Sequence, residues 1–99
     1  MMKININGVD YDFSFRGFGP QYTYEILTGE PFRYDALRSF HLLTFATLMS
    51  CNRESFRLSF EEYSEWLYEH PAEEMAMTQA INDECVRRDG LRAVDKKKE

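Results

Sequence analysis

Little in this chain is of the kind that usually carries chemistry. Its two cysteines, Cys51 and Cys85, stand far apart with no CxxC and no histidine-rich context, so neither a zinc ribbon nor a redox pair is encoded. They read instead as two buried thiols in a reducing compartment. The two histidines, His41 and His70, are isolated: His41 sits in an apolar helical stretch and His70 precedes Pro71 at a helix junction. There is no HExxH and no glycine-rich phosphate loop. The segment "RGFGP" has two glycines but lacks the Lys-Ser/Thr and the preceding buried strand of a P-loop. No apolar run approaches the roughly 18 residues of a membrane span, and no signal-peptide pattern is present. The expected location is therefore the cytoplasm. There is also no internal repeat and no low-complexity linker. No cofactor or metal ion is expected.

What is present is a chain of single-domain size, 99 residues with 43% hydrophobic and 29% charged content, as in a soluble globular protein. Six Tyr, eight Phe and one Trp are many rings for one small core, which suggests that some serve a partner or self-association surface. Net charge is −5, and the final "LRAVDKKKE" holds four Lys/Arg against two acids, leaving the first ninety residues at −7 by subtraction. A body of that sign repels phosphate backbones, so nucleic acid is not the expected partner.

The clearest local signal is "KININGVDYDFSF", residues 3–15. Asn7-Gly8 suits a two-residue type I′ turn, in which both central residues need positive φ. That turn opposes Ile6 with Val9, Ile4 with Tyr11 and Met2 with Phe13. All six then share one apolar face that Phe15 continues, while Lys3, Asp12, Asn5 and Asp10 form the polar face. A lone hairpin is marginal, so this face is expected to pack on helices, above all a central one.

Four helices are predicted. Pro20 suits a first helical position and Gly29 a C-terminal cap, giving a helix near 20–28. Asp35 can cap a second helix running to about Ser50, whose Ala36, Leu37, Phe40, Leu43, Phe45, Ala46, Leu48 and Met49 leave little polar circumference. Ser59 and Glu62 form a capping box, and Leu58 with Tyr63 fits a hydrophobic staple, opening a third helix that His70-Pro71 stops. Pro71 opens a fourth, about 71–88, with Met77, Ile81 and Cys85 at helical spacing and Gly90 as its end. The expected fold is thus α+β: an N-terminal two-stranded antiparallel β-hairpin packed on a bundle of about four α-helices. Residues 1–90 would form the single domain and 91–99 a flexible charged tail. The pairs Glu61/Glu62 and Glu73/Glu74 lie in first turns, where they complement the helix dipole. They do not have the look of a catalytic acid pair.

The order of these features resembles the small tail assembly chaperones of long-tailed bacteriophages, encoded upstream of the tape-measure protein. The resemblance covers about residues 3–88. It rests on the Asn7-Gly8 hairpin, on "LTGEPF" at 27–32 and on the capped "LSFEEYSEWL" at 58–67, although Gly19-Pro20 stands where an aliphatic or Lys-rich helix start is more usual. It implies a non-catalytic protein of the bacterial host cytoplasm that binds the tape-measure protein and helps recruit tail-tube subunits. It also allows a frameshifted long form, for which Lys96-Lys97-Lys98 would mark the slippage site. Tyr24, Tyr34, Tyr68 and Met75 fall off the predicted core faces and are the expected contacts to a client or to a second copy. A protein-interaction adaptor unrelated to tails, homodimeric or not, is the alternative reading. A small hydrolase or nucleotide-binding enzyme is a distant third.

Overall fold

The computed structural model describes residues 2–33 and 36–98, with side chains described as far as residue 91. In chain order it has β1 (Met2–Ile6), β2 (Val9–Phe13), α1 (Gly19–Thr28), α2 (Leu37–Cys51), α3 (Phe60–Glu69) and α4 (Pro71–Lys98). The fold is α+β, a two-stranded antiparallel hairpin followed by four helices.

The hairpin has the register that its turn dictates. Asn7 and Gly8 have φ of 54° and 89°, the left-handed pair that a type I′ turn requires. Met2 faces Phe13, Lys3 faces Asp12, Ile4 faces Tyr11, Asn5 faces Asp10 and Ile6 faces Val9. On the polar side Lys3 donates to the Asp12 carboxylate, and Asn5 Nδ2 donates to Asp10 Oδ1 at 2.8 Å. On the other side Ile4, Ile6, Tyr11, Phe13 and Phe15 are buried, each such side chain contributing about 1.5–3 kcal/mol. Val9 shares their face, yet beside the turn it is largely exposed.

β2 packs on α2, and a side chain joins them. In an antiparallel pair, alternate residues turn their backbone groups away from the neighbouring strand. Counting from the turn, Asp12 is one of these. Asn52, just past α2, meets both of its backbone groups: Oδ1 accepts from the Asp12 N–H at 3.0 Å and Nδ2 donates to the Asp12 carbonyl at 2.8 Å. The same Nδ2 donates to the Leu48 carbonyl at 2.8 Å, so one carboxamide satisfies a strand edge and a helix end together.

α2 is the centre of the molecule. Leu43 to Leu48 are six consecutive buried residues, more than a full helical turn, so α2 is enclosed on every side there. Two of the six are threonines, each returning its hydroxyl to the helix backbone: Thr44 to the His41 carbonyl at 2.8 Å, Thr47 to that of Leu43 at 2.7 Å. The expected N-terminus needs correcting. Leu37 is 69% exposed and Ala36 is exposed, since this end of α2 runs past the body that encloses its middle. The N-cap is Ala36, with no side-chain cap bond, and the expected cap Asp35 lies outside the described residues.

Around α2 the rings form one edge-to-face network. Phe45 meets Phe56 and Phe60 at centroid distances of 5.4 and 5.5 Å, and Phe56 also meets Tyr11 at 5.3 Å. Most of the aromatic surplus is therefore core. Tyr63, fully buried, donates its hydroxyl to Thr44 Oγ1 at 2.8 Å, and burial pushes its phenol well above the ordinary value.

The helix ends follow local chemistry, with one exception. Gly29, at φ 73°, caps α1 by donating its N–H to the Glu25 carbonyl at 2.7 Å. Ser59 and Glu62 form the reciprocal capping box of α3, with bonds of 3.2 and 3.1 Å. His70 closes α3, its ring stacked on Trp66 at 4.4 Å, and Pro71 begins α4. The exception is Gly90. It does not end α4, which continues to Lys98, so the domain boundary expected at residue 90 falls inside a continuous helix. A glycine stops a helix by taking a left-handed φ, and Gly90 does not take one. Its helical cost, about 1 kcal/mol relative to alanine, is borne by good helix formers on both sides. Among the described residues no helix is long and apolar enough to cross a membrane.

Candidate interaction surfaces

The two histidines mark the polar possibilities. His41 projects from α2 beside a groove of about 330 Å³, lined by Leu37, Ser64, Leu67, Tyr68, Pro71 and Glu74 as well. Its Nε2 is buried without a hydrogen-bond partner, and the nearest carboxylate oxygen, Glu74 Oε1, stands 3.7 Å away. That is an ion pair only when His41 is protonated, and among the described residues no nucleophile is hydrogen-bonded to its Nε2. His70 is held by the Trp66 carbonyl at 2.7 Å from Nδ1. Among the described residues no group of three or more His, Cys, Asp or Glu side chains could hold a metal ion. Cys51 and Cys85 are each half-buried, less than the sequence leads one to expect, and the Cys51 thiol donates to the Ser14 carbonyl at 3.5 Å.

The four expected contact residues fare differently. Tyr68 is 90% exposed and lines the His41 groove together with Leu37. Met75 is also largely exposed, one helical turn beyond Pro71 on α4. Tyr68 and Leu37 thus share one groove at the junction of α3 and α4, and Met75 is exposed on the first turns of α4. Tyr24 must be corrected. It is only 5% exposed, and its ring packs edge-on against Phe32 at 5.5 Å within the core, because α1 turns Pro20 and Tyr24 inward. Tyr34 lies outside the described residues.

The outer face of α1 was not anticipated. Phe18, Tyr22 and Ile26 follow at four-residue intervals along it, and Ile26 is 83% exposed. Phe18 and Tyr22 stack at 5.9 Å. At the base of this ridge the Arg88 guanidinium of α4 lies 4.6 Å above the Phe18 ring and donates to Gln21 Oε1 at 3.3 Å, fixing the ridge to the body. The sequence does contain the signal. Phe18, Pro20, Tyr22, Tyr24 and Ile26 are apolar at every second position, and in a helix a step of two turns about 200°, so such a series supplies two opposite faces. One face, Pro20 and Tyr24, meets the core; the other is touched at Phe18 by Arg88 and is left exposed at Tyr22 and Ile26.

The chain therefore presents two apolar surfaces, the α1 ridge and the Leu37–Tyr68 groove, and no assembled catalytic constellation among the described residues. No protein-family model, no curated protein and no solved structure matches this chain.

Proposed function

We propose that this chain is a non-catalytic binding protein that lays the outer face of α1 along an apolar stripe of a helical client. The observation that carries the reading is the exposed pair Tyr22 and Ile26, continued at the N-cap by Phe18 under Arg88, on a helix whose opposite face is already buried. A helix apolar on both sides is stable in water when both sides are covered, and here the chain itself covers one. Helix-in-groove or helix-on-helix recognition uses anchors at this spacing.

The finer reading is a phage or prophage tail assembly chaperone acting in the bacterial host cytoplasm. Its client would be the tape-measure protein, with tail-tube subunits recruited to the complex and no cofactor required. This identity rests on the resemblance of the hairpin, "LTGEPF" and "LSFEEYSEWL". Coexpression with the tape-measure gene of the same genome tests it. The wild-type chain should keep that protein in the supernatant and copurify with it, whereas Tyr22→Ala/Ile26→Ala should leave it in the pellet. Failure of the wild-type chain to recover any tape-measure protein would overturn the tail reading. Equal recovery by the variant would remove the α1 ridge from it.

A further inference from the structure

The charge of this molecule is distributed lengthwise. Residues 91–99 carry four Lys/Arg against two acids, a net +2, which leaves residues 1–90 at −7 by subtraction from −5; of the two arginines just before them, Arg87 pairs with Glu84 and Arg88 lies on the Phe18 ring. Up to Lys98 this segment belongs to the last turns of α4. That helix has 28 residues, about 42 Å at ~1.5 Å per residue, whereas the molecule measures 49 Å along one axis and only 27 and 26 Å across the others. The C-terminal part of α4 therefore projects, with Val86 and Leu91 largely exposed on it. A short helical end gains most of its stability from packing rather than from propensity.

At the other end of the same helix lies an acidic surface. Glu61, Glu65 and Glu69 form a four-residue-spaced ladder along α3, which contains no Lys or Arg, and Glu73 follows in the first turn of α4. None of these four has an ion-pair partner among the described residues. Glu61 suits the positive N-terminal end of α3, but Glu65 and Glu69 do not. They stand toward its negative C-terminal end, and like charges four apart repel. Glu65 and Glu69 border a groove with Trp66 and His70, while Tyr68 and Leu37 border the neighbouring His41 groove, and Met75 is exposed on α4.

We propose that the basic C-terminal part of α4 in one copy docks on the acidic face at the α3–α4 junction of a second copy. Exposed apolar side chains meet at the centre of this contact, and lysines and arginines meet the glutamates of α3 at its rim. The contact is intermolecular by geometry, because one continuous helix separates the two surfaces within a molecule. Each copy carries one of each, so two copies can make the contact twice. The α1 ridge takes no part, and the inference stands whether or not the client reading does.

Sedimentation of the full chain tests it. At low ionic strength and micromolar concentration the mass should exceed the 11.8 kDa of a single chain, and it should fall to that value in 1 M salt, where screening acts within about 3 Å. Glu65→Lys/Glu69→Lys should be monomeric, as should Lys96→Glu/Lys97→Glu/Lys98→Glu, each with unchanged helical circular dichroism. Mixed together they should associate again, since the reversed face of one then meets the reversed helix end of the other. A wild-type chain monomeric at low salt would overturn the proposal. So would association that survives both reversals, or a mixture of the two that stays monomeric.

Discussion

Asn52 does more structural work than its type suggests. It bonds both outward-facing backbone groups of Asp12 and the Leu48 carbonyl, so its loss strands polar groups on a strand and on a helix. Asn52→Ala should cost about 2 kcal/mol, read as a lower urea midpoint at unchanged slope. Tyr63 has a different consequence. Its hydroxyl bonds Thr44 in the enclosed centre, and burial raises its pKa above the ordinary 10.0. A raised folded pKa means stability that is fully present below pH 10 and lost above it, because the unfolded chain then releases the proton that the folded one retains. Unfolding free energy should fall by up to ~1.4 kcal/mol per pH unit in that range. Tyr63→Phe should remove that component and cost about 1 kcal/mol at neutral pH. Neither role was legible in the sequence. Asn52 sits in a plain loop, "CNRESFR", and its partner is 40 residues away.

At the scale of elements, legibility followed the range of the signal. The hairpin register was readable because Asn7-Gly8 and the alternation around it agree, and both are local. The start of α3 was readable for the same reason, since a capping box closes within four residues. Where two local signals competed, the reading failed. α1 is apolar on both sides, and nothing in its own sequence tells which side meets α2; Tyr24 was therefore placed outside and the Phe18–Tyr22–Ile26 face was missed. Gly90 is the other case. Glycine permits a left-handed stop without imposing one. A Cβ at Gly90 would meet nothing within 4 Å, so Gly90→Ala should strengthen α4 by roughly 0.5–1 kcal/mol, seen as a gain in 222 nm ellipticity or in thermal midpoint.

At the scale of the whole molecule, the folded core consumes most of the aromatic content, and among the described residues the exposed rings stand in two places. One is the α1 ridge, fixed at its base by Arg88; the other is the acidic face at the α3–α4 junction. Composition announced the surplus but not its address, because burial is decided by which helix faces pack and not by how many rings there are. The central claim is that the α1 ridge is the client surface. Hydrogen exchange of the wild-type chain, alone and with the tape-measure protein proposed as its client, tests it most directly. Slower exchange across Gly19–Thr28 in the complex, absent in Tyr22→Ala/Ile26→Ala, is the predicted result. A complex in which α1 exchanges as in the free chain, while another surface becomes protected, would contradict the account.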